Sequence, residues 1–285
     1  MTTPAIATDR LTKYYGARPV VNGLSLRIPE GCVYGFLGRN GAGKSTTIKM
    51  LMGMVRPTSG RVELLGSDLA VLPPSEKARI AYLAEGQPLY GWMTVAEAVR
   101  FARAFHPGRW NQAMLDQILD HFEIRPQARV RRLSNGQRGN VALALAIAPD
   151  PDLLVLDDPT LGLDTVARHD FLLSMIRLVQ RRGRTILFSS HILADVERVA
   201  DRIGVLVDGT LRVDCPTDRF KEGVCKLVLE FAGRPPRFPA APGWCRPGNP
   251  VSRSSRCRPR RSCSPMTTCP IASATSMPAA PCAPW

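Results

Sequence analysis

Residues 38–46 read GRNGAGKST, closing the apolar stretch CVYGFLG (32–38) and running into the helical TTIKMLMGM. A G-x-x-x-x-G-K-[ST] pattern between a strand and a helix constrains the fold more than any other part of this chain. Its glycines let successive backbone N–H groups converge, and the following helix offers its positive end to an anion. Gly38, Arg39, Asn40, Gly41, Ala42, Gly43, Lys44, Ser45 and Thr46 therefore read as a phosphate cradle. Lys44 would reach the β- and γ-phosphates of a nucleotide, and Ser45 would ligate Mg²⁺.

Apolar runs alternate with helical-period stretches through residue 210, the pattern of an α/β domain on a largely parallel sheet. Further strands are predicted over 78–84, 152–157, 184–190 and 202–208, and Asp208-Gly209 makes a hairpin turn into TLRVD. Between about 86 and 148 the strand signal disappears. Thr94 with Glu97 three residues on has capping-box spacing, so a helical subdomain starts near there.

LLVLDD (153–158) is an apolar strand ending in two acids. Asp157 can hold a Mg²⁺ shell beside a phosphate loop, with Asp158 one position on; the alternative is a buried strand ending in two solvated carboxylates. RLSNGQ sets Ser134 at a helix start, where it reads equally as a plain N-cap. His191, at the end of TILFSS, reads on its own as a surface histidine.

Together these stretches resemble the ATP-binding cassette (ABC) ATPases over residues 5 to about 222: a Walker A loop GRNGAGKST, a signature LSNGQ in place of LSGGQ, a Walker B strand LLVLD, a D-loop LGLD and the switch histidine His191, in the family's order. PTSG and LYGWMTVAEAVRF resemble the ATPases of ABC-2-type exporters. The resemblance implies a P-loop NTPase of the ABC ATPase type: a mostly parallel sheet core, N-terminal antiparallel strands and a helical subdomain. It also implies ATP and Mg²⁺ as ligands. Tyr15, or less readily Tyr14, would stack on adenine, with core packing as the alternative. Ser134, Gly136 and Gln137 would serve the ATP of a second nucleotide-binding subunit, a homodimer being favoured over a heterodimer. Asp164 and His191 would orient the γ-phosphate and water. A separate membrane permease is the remaining partner.

Three departures stand out. The family's Q-loop glutamine falls on Glu85, a carboxylate still suited to Mg²⁺, with Gln87 as the fallback. The C-terminal extension is reduced to CKLVLEF (225–231), within a segment 223–241. Asp158 stands where the family has the glutamate that polarises the attacking water, and is shorter by about 1.5 Å. Slow hydrolysis is the expectation; the alternative is an ATP-binding switch paired with a glutamate-bearing cassette.

The formal charge of +14 raises nucleic acid as a partner. Residues 242–285, however, hold six arginines and no Asp, Glu or Lys, leaving +8 for the rest. Relatives acting on nucleic acid usually carry two cassettes or a coiled-coil insertion, so no nucleic acid is expected. The same segment holds five of the eight cysteines and nine prolines, and reads as a disordered tail, its abrupt onset suggesting a reading-frame origin. The N-terminus lacks a basic-then-apolar signal, and no apolar run approaches the roughly 18–20 residues of a membrane span, which predicts a cytoplasmic address; the resemblance adds a peripheral place at the inner face of the cell membrane, through the permease.

Overall fold

Leu153 and Val155 belong to one apolar cluster and Leu154 and Leu156 to another, so the strand they form is buried on both faces. Side chains alternate across a strand, and only a sheet covered on both sides lets every position be apolar. The computed structural model describes residues 4–86, 89–180 and 183–223. Gln87, the CKLVLEF segment and the 242–285 tail lie outside the described residues.

The central sheet has six strands in the order β10-β9-β3-β8-β7-β6: β3 (Val33–Gly38), β6 (Ile80–Leu83), β7 (Leu153–Leu156), β8 (Thr185–Ser190), β9 (Arg202–Val207) and β10 (Thr210–Pro216). All neighbours are parallel except β9 and β10, which form the expected hairpin around Asp208 and Gly209. Both turn residues have positive φ, 48° and 75°, as a two-residue hairpin turn requires. A second sheet, antiparallel and of order β2-β1-β4-β5, is built from β1 (Pro4–Tyr15), β2 (Arg18–Pro29), β4 (Ser59–Leu64) and β5 (Ser67–Asp68).

One face of the central sheet meets this second sheet and α1 (Lys44–Leu51), through Ile6, Leu26, Ile48, Leu51, Phe36 and Leu187. After the single turn α2 (Pro74–Lys77), the helices α3 (Val95–Ala104), α4 (Gln112–His121) and α5 (Asn135–Ile147) follow one another with no strand between. Then α6 (Thr165–Gln180), α7 (Leu193–Val199) and α8 (Thr217–Gly223) alternate with the last strands. The other face of the sheet packs against α4, α5, α6 and α7 through Leu115, Val141, Phe171 and Val196.

Local sequence starts these helices where capping chemistry allows. Thr94 Oγ1 accepts from the Glu97 N–H at 3.2 Å while Glu97 Oε2 accepts from the Thr94 N–H at 2.8 Å, the capping box read from the sequence. Ser134 and Gln137 make the same reciprocal pair at α5, and Asn111 caps α4. Each such cap is worth about 1 kcal/mol. No helix among the described residues is long and apolar enough to cross a membrane.

Gly35 on β3 lies directly under α7: a Cβ there would stand 2.2 Å from Val196 Cγ1 and 3.1 Å from the Ala200 Cβ. Gly35→Ala is therefore expected to cost about 1–3 kcal/mol by overpacking. Urea unfolding of the full chain should show a lower midpoint at unchanged slope.

Candidate functional site

The parallel strands β3, β6, β7 and β8 end on the same edge of the sheet, and the polar residues of the sequence motifs follow those ends. The 38–43 loop leaves β3 and enters α1 at Gly43, whose φ of 107° and whose close approach to the Val20 carbonyl (2.5 Å from a would-be Cβ) admit no side chain. The Gly209 N–H donates to the Ala42 carbonyl at 3.0 Å, so the β9–β10 turn braces the loop. No side chain caps α1 and no acid lies in its first turn. Its leading N–H groups are thus left for an anion.

Lys44 is buried, and its ammonium donates to the Gly38 carbonyl at 2.8 Å and the Arg39 carbonyl at 3.3 Å. Burial pushes its pKa down from the ordinary lysine value, against the pull of Asp158, Asp157 and Glu85. Those three carboxylates thus lie within electrostatic reach of the loop, Glu85 on an exposed turn after β6.

Asp157, 1% exposed, accepts through one oxygen from Ser45 Oγ at 3.0 Å and from Ser189 Oγ at 2.9 Å. Ser189 also accepts from the Asp158 N–H at 2.8 Å. Sequence reasoning missed Ser189. Its signal was available in the strand register: β7 pairs Leu156 with Phe188, so the next step sets Asp157 beside Ser189.

Asp158 adopts φ 40°. Its Oδ2 lies 2.8 Å from His191 Nδ1, while Oδ1 is buried and has no hydrogen-bond partner among the described residues. A carboxylate only accepts, so this bond requires the proton on Nδ1 and leaves Nε2 as the ring's second functional nitrogen.

The remaining predicted residues lie elsewhere. Tyr15 ends β1, half exposed, with the Lys13 ammonium 5.2 Å from its ring centre; Tyr14 beside it is also exposed. Ser134 and Gln137 cap α5, and Gly136 packs against Leu163 and Ala167 of the same chain. Asp164 caps α6 through the Ala167 N–H at 2.9 Å.

The pieces fit a magnesium nucleotide. An uncapped helix start behind a glycine loop suits phosphates, the Ser45–Asp157 oxygen pair suits a hard divalent cation, and Asp158 Oδ1 is a buried acceptor in want of a donor. Residues 21–161 match the ABC transporter family. The bacitracin transport ATP-binding protein BcrA of Bacillus licheniformis is 35% identical over 228 residues, 79% of this chain and 74% of that one. The chain belongs to the ABC transporter family, as one of its ATP-binding proteins. The Nod factor export ATP-binding protein I of Rhizobium meliloti (strain 1021) is 39% identical over 216 residues, 73% of this chain and 63% of that one. Among solved structures, an ATP-binding subunit of an ABC transporter superposes with a TM-score of 0.67 at 30% identity, covering 77% of this chain and 92% of that one.

Ser189 has two polar neighbours in a dry place, so Ser189→Ala strands the Asp158 N–H and takes one donor from Asp157. The expected cost is about 1–3 kcal/mol of stability, read from chemical denaturation, with Ser189→Thr recovering part of it.

Proposed function

We propose that this cassette is the ATP-hydrolysing subunit of an exporter, and that ATP-dependent closure of two cassettes drives a separate permease at the inner membrane face. The observation carrying this reading is the knot of Ser45, Asp157, Ser189, Asp158 and His191 at the mouth of an uncapped helix. The name of one relative, Nod factor export, supports the outward direction.

In this reading Lys44 and the N–H groups of residues 41–46 hold the phosphates. Ser45, Asp157 and Glu85 hold Mg²⁺, and Tyr15 supports the adenine. Bound MgATP supplies a phosphoanhydride whose cleavage releases the free energy that drives the cycle. Asp158 Oδ1 would take a proton from water as the water oxygen bonds the γ-phosphorus and the bridging bond breaks to leave ADP, while His191 fixes Oδ2 and presents Nε2. Ser134, Gly136 and Gln137 serve the opposite site of the pair, with Asp164 at the seam. General-base help is typically worth about 10² to 10⁴ in rate, so an aspartate that reaches imperfectly gives slow turnover rather than none. The hold of His191 on Asp158 also favours a second reading, an ATP-binding switch beside a glutamate-bearing partner.

A permease needs a docking surface. Tyr90, Trp92, Phe101 and Phe105 are all exposed at the start of the helical segment, in a chain of ring contacts at 5.9, 6.0 and 5.1 Å. Contiguous exposed aromatics of this kind support a protein contact.

Phosphate release by the full chain should exceed background, and Asp158→Asn and Lys44→Ala should each abolish it. ATP binding without turnover above Asp158→Asn, even with the permease present, would instead establish the switch. Trp92→Ser with Phe105→Ser should leave basal turnover intact and weaken recovery of the cassette with its co-expressed permease by at least about tenfold; undiminished recovery would move the contact elsewhere.

A further inference from the structure

Arg168 sits in the first turn of α6 and reaches in two directions. Its Nη2 donates to the Leu163 carbonyl at 3.0 Å, inside the 161–164 loop. Its Nε lies 3.8 Å from Asp195 Oδ2, in the first turn of α7, the helix that begins two residues after His191. Both side chains are mostly buried, 23% and 13% exposed. Neither the Arg168 Nε nor the Asp195 Oδ2 has a hydrogen-bond partner among the described residues, so charge alone joins them across the gap between the helices.

A buried ion pair is costly to form and costlier to break, because removing one member strands the other. Such a pair tying two helices together could be a simple staple. Here, though, each end meets a segment that carries a predicted functional residue. On one side, the loop held by Arg168 packs through Leu163 against Gly136, at the start of α5. On the other, Ser190 Oγ accepts from the Ile192 N–H at 3.0 Å, fixing the turn that carries His191 into α7. Burial raises the Asp195 pKa, Arg168 and Arg198 oppose that shift, and the charges of Asp158 and His191 are also felt there.

We propose that Arg168 is a positioning residue, tying the 161–164 loop to the helix behind His191 so that the loop and the His191–Asp158 pair hold one relative placement. The kinetic consequence rests on the hydrolytic reading above; the structural one does not.

Hydrogen–deuterium exchange of the full chain without nucleotide tests it. The Leu161 and Leu163 N–H groups are bonded within the loop, to the carbonyls of Asp158 and Thr160, and report its order. Arg168 is the side chain that meets both Asp195 and the loop, so Asp195→Asn perturbs the loop through it. Asp195→Asn and Arg168→Gln are each expected to speed exchange at 161–164 at least about tenfold, and Asp195→Glu to restore it. Unchanged loop exchange in Asp195→Asn overturns the proposal. So does a loss of protection spread evenly over β7 and β8, which would make the pair a staple of the whole fold. In turnover, both variants should lower kcat about tenfold at unchanged KM for ATP, with the double variant no worse than either single one. Additive losses overturn the proposal. If the parent chain hydrolyses no ATP, the hydrolytic reading fails and the exchange result alone decides this one.

Discussion

Asp157 Oδ1 accepts from two serines that arrive from different parts of the chain, Ser45 at the start of α1 and Ser189 near the end of β8. Hydrogen bonds to a charged acceptor contribute about 1.5–3 kcal/mol each, whereas a buried carboxylate without partners is strongly unfavourable. The pair of bonds therefore fixes more than a side chain. With Asp157 at 1% exposure, the phosphate loop, the end of β7 and the end of β8 must come to one point or leave a charge stranded. In open parallel sheets ligands bind outside the carboxyl ends of the strands, and this knot is what makes that edge chemically specific.

The parallel half of the fold was legible because its inner strands β3, β7 and β8 are buried almost throughout and so appear as largely apolar runs. The helix starts at Thr94 and Ser134 were legible for a local reason, since a capping box needs only four residues. The antiparallel sheet entered only through family resemblance. Its alternation is broken: the β1 burial pattern skips at Asp9 and Arg10, where the register with β2 shifts, and Arg10 has φ 44°. A bulge adds a residue and reverses every side chain beyond it, which erases a period-two signal. In the site, the sequence pointed to residues carried by contiguous motifs and passed over those acting across elements. Ser189, Arg168 and Asp195 owe their importance to strand register and helix packing, which no spacing within one segment encodes.

The aspartate at 158 has to be judged in its backbone setting. Its φ of 40° lies in the left-handed region, which aspartate tolerates better than most residues, and its N–H is held by Ser189. A shorter side chain has one fewer torsion to fix. For the base proposed above, the loss of about 1.5 Å of reach would be partly offset by preorganisation: the carboxylate is set by the backbone on one side and by His191 on the other. Preorganised groups act without reorganising at the moment of reaction. In the proposed role, placement is what separates an aspartate from a glutamate here.

Charge balance carries the argument one step further. Asp157, Asp158 and Glu85 all act on a single ammonium, that of Lys44, whose own pKa burial depresses. Three carboxylates thus stand around one lysine before any phosphate arrives, although the neighbouring helix end and glycine loop are built to receive anions. A cation entering with the phosphates would reconcile the two. The Ser45–Asp157 oxygens offer a hard divalent ion its place, and Asp158 Oδ1 remains beside them as the acceptor not yet satisfied. In the proposed reading these carboxylates are the complement of a cation, which would make binding of nucleotide and binding of metal mutually dependent.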